Sequence, residues 1–169
     1  MNAFNPVPPR LLDWMETTWL NSLMLDWAWS WVIAETLHFV GMCLLFGAVL
    51  MMDLRLAGLA RGRMSPHAVH QLVPVALTGF IINLATGVLF LFGNPYRYAL
   101  NISFQIKVVL LFLAAINVLF FWRHARKGLV NGPTGSRLPV RIRTIGVTSL
   151  LLWTAIIVFG RMIPYLGTG

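Results

Sequence analysis

Residues 28 to 52, AWSWVIAETLHFVGMCLLFGAVLMM, constrain this chain more than any other stretch. The run is long enough to cross a bilayer as a helix, which takes roughly 20 apolar residues. It carries Glu35 and His38, and ionisable side chains on a spanning helix face the bundle interior and find partners there. The two stand three apart, so they share a helix face, and Met42 follows one turn further along it. The rest of the chain must supply those partners.

Three more apolar runs follow, at about 67–92, 104–122 and 144–163. Charged residues make up 11% of the chain, against about 25% in soluble domains. The expected fold is an all-α membrane protein: a four-transmembrane-helix bundle with an N-terminal interfacial amphipathic helix. Residues 1–27 form its N-terminal segment and 28–169 the membrane domain. Residues 10–27 place Leu11, Leu12, Met15, Trp19, Leu23 and Trp27 at roughly helical spacing, with Asp13, Glu16 and Asp26 between them. That pattern fits a helix lying in the interface rather than a span. Its acidity suits the outer side of the membrane or burial against another subunit.

The formal charge of +8 falls between the apolar runs, not on one soluble face. It reads as loop Arg and Lys touching lipid headgroups, not as a nucleic-acid surface. The first span is expected to end at Asp53 and Arg55. Arg55, Arg61 and Arg63 follow it; Arg123, Arg126, Lys127, Arg137, Arg141 and Arg143 follow the third. The positive-inside rule then places both termini outside. Trp14, Trp19, Trp27, Trp29, Trp31, Tyr96, Tyr98 and Tyr165 fall on the same outer side, as an interfacial belt or as a docking surface for a partner. The N-terminus lacks the charged-then-apolar build of a cleaved signal peptide, so the first span is expected to serve as the targeting signal. Cys43 is the lone cysteine, which excludes an intrachain disulfide.

Three constellations carry candidate chemistry. Glu35 lies about 10 Å below the outer end of its span, and Lys107 and Arg161 about 5 Å below theirs. A buried ion pair of Glu35 with Lys107 or Arg161 is therefore expected, either as a static packing device or as part of a proton or ligand site. His67 and His70 open the second span and His124 closes the third, at one depth. Opposing imidazoles at one depth are what a bis-histidine haem needs; the alternative is that all three are interfacial. His38 lies about 15 Å deep, too far from His70 to share an iron. It would need Met162 or a residue of a partner chain, or else it is a hydrogen-bonded structural histidine. Finally, His38, Met42, Cys43, Met51 and Met52 follow one helix, and thioether plus imidazole suits Cu(I). No nucleophile triad, phosphate loop or dinucleotide fingerprint is present.

The stretches ETLHFVGMCLLFGAVLMMDLRLAGL, 35–59, and LTGFIINLATGVLFLFGNPYRYALNISFQIKVVLL, 77–111, resemble a signature of small bacterial four-span membrane proteins of unknown function. That group is distantly similar to the membrane part of copper resistance protein D and, in architecture, to cytochrome b561-like dihaem bundles. The resemblance implies a bacterial inner-membrane protein with b-type haem, electron exchange with quinone or a periplasmic partner, or copper handling. It supports His38, and then His70 and His124, as haem ligands. The expected function is a redox-linked subunit. The alternatives are a non-catalytic membrane anchor or assembly subunit, and copper binding or transport. The loops are too short to build a second active site for a substrate.

Overall fold

The computed structural model describes residues 7–59, 66–124 and 139–166, side chains excepted for 66–70 and 124. Among them are seven helices and no strand: α1 (Pro9–Glu16), α2 (Trp19–Asp26), α3 (Ser30–Ala57), α4 (Pro66–Gly93), α5 (Pro95–Ala99), α6 (Ile102–His124) and α7 (Val140–Met162). Helices α3, α4, α6 and α7 are each long and apolar enough to span a membrane. At about 1.5 Å per residue each exceeds the ~30 Å hydrocarbon core.

The first span outruns its sequence expectation. The charges at Asp53 and Arg55 suggested an end near residue 52, yet the helix continues to Ala57. What stops it is Gly58, at φ 95°, where the left-handed conformation costs glycine little. The Gly58 and Leu59 amides then donate to the Arg55 and Leu54 carbonyls at 3.1 and 2.9 Å. Asp53 and Arg55 are thereby carried into the packed part of the bundle, and both are buried.

The N-terminal segment is two helices where the sequence suggested one. Thr17 and Thr18 turn their hydroxyls back onto the carbonyls of Trp14 and Met15, at 2.7 and 2.6 Å. Such local bonds compete with helix propagation. Both short helices are seated on the bundle. Leu12 and Met15 pack with Ala99, Leu91 and Phe92, and Asn21 Nδ2 donates to the Phe92 carbonyl at 2.8 Å. Ser30 Oγ, donating to Met24 O at 2.7 Å and lying 2.8 Å from Trp27 O, ties α2 to the start of α3.

Helix α3 is central: α4 packs on one side and α7 on the other, with α6 on the far side of α7. Among the described residues α4 and α6 do not pack against each other. Side chains bridge them instead, around Leu45, Val49, Ala114, Trp153 and Ile156, with Ala76 of α4 against the cluster. The tightest crossing is α3 on α4, where Gly41 and Gly79 meet; small residues permit this approach in membranes. Asn101 joins the opposite pair: it caps α6 by accepting from Ser103 N at 2.9 Å, and it donates to Ile163 O at 2.8 Å. The N-terminal helices and the end of α7 thus share one end of the bundle, here the terminal end. The opposite end, where α3 gives way to α4 and α6 to α7, is the basic end.

Candidate ligand site in the terminal half

The stripe Gly79–Asn83–Thr86 of α4 faces α3, and at its far end Thr86 meets His38. His38 Nδ1 lies 2.7 Å from Thr86 Oγ1. The same hydroxyl lies 2.7 Å from the Ile82 carbonyl. A hydroxyl has one proton to give. Given to Ile82, it leaves the oxygen to accept from the imidazole. In that arrangement His38 is the Nδ1–H tautomer, with a lone pair on Nε2. Fixing one ring nitrogen to free the other is how metal-ligating histidines are oriented.

A chain of aromatic rings starts at this position. Phe90 lies 5.4 Å from the His38 ring. It stacks on Trp31 at 5.8 Å and on Tyr98 at 6.2 Å, and Tyr98 meets Phe104 edge-on at 6.0 Å. The rings run from α3 through α4 and α5 to α6, across the gap where α4 and α6 do not pack. Burial pushes the Tyr98 phenol above its ordinary range; neighbouring Arg97 opposes the shift and Glu35 adds to it.

Lys107 of α6 completes the constellation. It is near enough to His38 to act on it electrostatically, and it lies along α7 at Gly160, where a Cβ would come within 3.3 Å of Nζ. Glu35 is exposed, and its electrostatic neighbour is Tyr98. Arg161 lies over the Tyr165 ring at 5.8 Å. A pair of Glu35 with either cation is not among the contacts of the described residues.

The other candidates disperse. His67 and His70 lie on the opening turns of α4 and His124 is the last residue of α6, all at the basic end; their side chains are outside the described set. Met42 is half-buried one turn below His38, whereas Cys43 and Met51 are exposed, as is Met162 at the end of α7. Among the described residues no three His, Cys, Asp or Glu side chains converge as a metal site would need.

Sequence reasoning missed Thr86 as the partner of His38, Gly160 as the space for Lys107, and Asp53 as a buried acid. Asp53 had a readable signal. Gly41, Leu45, Val49 and Asp53 succeed one another at intervals of four, and the first three line the packed face.

These features define a multi-pass α-helical membrane protein with a polar, aromatic-lined position in one half of its bundle. The chain belongs to a family of unknown function, DUF6644, whose model matches residues 11–166. No curated protein and no solved structure matches it.

Proposed function

We propose that the protein is a redox-linked membrane subunit that holds a b-type haem through His38. The observation that supports this reading is the Thr86 hydrogen bond, which holds the imidazole in place and, with the hydroxyl proton on Ile82, leaves the lone pair on Nε2. His38 would supply one ligand to such a haem, and a second would have to come from Met162 or from a residue of a partner chain. Haem supplies one-electron chemistry that the side chains here lack. The protein's part is to orient His38 through Thr86, to shield the site with Trp31, Phe90, Tyr98 and Phe104, and to set Lys107 beside it as a counter-charge for carboxylates. Electrons would pass to or from quinone or a partner protein at the terminal end. His70 and His124 remain candidates for a second haem at the basic end.

The test is the visible spectrum and extractable haem of protein purified from its native membrane. A Soret band that shifts on reduction, and is lost in a helical, monodisperse His38→Ala variant, is the expected result. Colourless wild-type protein without extractable haem overturns the reading.

A second reading, a non-catalytic anchor or assembly subunit, is favoured by a different observation. Trp14, Trp19, Trp27 and Trp29 are all exposed at the terminal end, while Leu12 and Met24 hold their helices down. Affinity capture from native membrane is expected to return a stoichiometric partner that a Trp14→Ala, Trp19→Ala variant loses. A cofactor-bearing monomer without a partner contradicts it.

A further inference from the structure

We propose that Asp53 is a proton-exchange site at the basic end of the bundle, a carboxyl that takes up and releases a proton there. The inference does not depend on the haem reading.

Asp53 is 5% exposed on the packed face of α3. Ser149 of α7, itself buried, is placed to donate a hydrogen bond to its carboxyl. Its Oδ2 is buried and has no hydrogen-bond partner among the described residues. The helices come close beside it: a Cβ on Gly146 would lie 2.6 Å from Leu56 Cβ and 3.1 Å from the Asp53 carbonyl oxygen. Phe121 of α6 covers Leu56 and Ile142 beside it.

A carboxylate that serves as a fixed structural anion has donors on both oxygens. Among the described residues neither protonation state is fully satisfied. Ionised, Oδ2 lacks a donor; protonated, its O–H lacks an acceptor. Buried polar groups left in this condition are rare and mark positions that change state or bind something. The ligand that fits one oxygen in a space closed by Gly146 is a proton. Exchange breaks the Oδ2–H bond and gives the proton to a water molecule that reaches the carboxyl from the basic end, where the Gly58 cap lies about 7.5 Å further along the helix.

The charged neighbours are few. Arg55 stands two residues on, about 200° round the helix, and so on another face. From α7, Ser149 and Gly146 face Asp53, while Arg143 Nε donates to the Ala57 carbonyl at 3.2 Å. Helix α4 brings His67 and His70 to this end, and α6 brings Arg123 and His124.

Infrared difference spectroscopy of the full chain in lipid bilayers tests the proposal. The C=O stretch of a protonated carboxyl is expected to grow and fade as the bathing pH is varied. It should be absent from Asp53→Asn and displaced in Ser149→Ala. Asp13, Glu16, Asp26 and Glu35 are present in both wild type and variant and cancel in the difference. No such band at any pH, a band that pH does not change, or the same band in Asp53→Asn overturns the proposal. Should Asp53→Asn fail to fold, Ser149→Ala decides, and an undisplaced band overturns it.

Discussion

Gly79 of α4 lies directly against the Gly41 carbonyl of α3. A Cβ on Gly79 would stand 2.6 Å from that oxygen and 2.5 Å from the Leu45 nitrogen. Both obstacles are backbone, so neither can swing aside. Gly79→Ala must push the helices apart, at a cost of about 1–3 kcal/mol for overpacking. Thermal unfolding in detergent, followed by circular dichroism, is expected to move to lower temperature. Gly87→Ala is the control on the same helix, since nothing lies within 4 Å of its Cβ position, and little change is expected there.

The same crossing aligns His38 with Thr86, two turns along α4 from Gly79. Thr86→Val keeps the shape and removes the hydroxyl, leaving the half-buried Nδ1 without its partner. An unsatisfied group of this kind costs about 1–3 kcal/mol. Loss of an outer-shell partner typically weakens a ligated group about 10–100-fold. Haem titration of wild type and Thr86→Val is expected to show a weaker variant at similar helicity, and Thr86→Ser is expected to restore binding. Equal affinity in wild type and Thr86→Val would separate the hydroxyl from the site.

At the terminal end, Tyr96 donates its phenol proton to Asp13 of α1. That bond, then burial, then the negative charges of Asp13 and Glu16, raise the Tyr96 phenol above its ordinary value of 10.0. A group whose value is raised on folding stabilises the fold below its unfolded value, and that stability is lost as pH rises through the folded one. The attachment of α1 is therefore expected to persist to about pH 10 and to fail above it. Phenolate absorbance, read as wild type minus Tyr96→Phe, should titrate above 10.0, and closer to 10.0 in Asp13→Asn.

Asn101 serves α6 and α7 at once. It is buried, caps α6 through Ser103 N at 2.9 Å, and donates to Ile163 O at 2.8 Å. Asn101→Ala removes a cap worth about 0.5–2 kcal/mol and frees the end of α7. Hydrogen exchange is expected to accelerate at the first turn of α6 and the last turn of α7, and to leave the α3–α4 crossing unchanged. Uniform acceleration would mean that the bond does not act locally.

The four spans were legible because apolar length alone selects a helix in hydrocarbon, and no rival secondary structure exists there. Ends were less legible. Charge at Asp53 suggested a stop, but a helix ends where its backbone is released, and Gly58 does that. The break at Thr17 and Thr18 was hidden because side-chain competition with the backbone leaves no trace in hydrophobic spacing. His38 was readable as a residue that needs a partner. Its partner was not, because Thr86 lies 48 positions away and the α3–α4 register that brings them together leaves no mark in hydrophobic spacing. Asp53 was read as a boundary because charge was weighed before periodicity.

The most direct measurement is the reduced-minus-oxidised visible spectrum of the native protein beside that of His38→Ala, with helicity and monodispersity matched. Wild type is expected to give a b-type difference spectrum that His38→Ala lacks. A flat wild-type spectrum, or one that His38→Ala leaves unchanged, would contradict the assignment of His38 as the haem ligand.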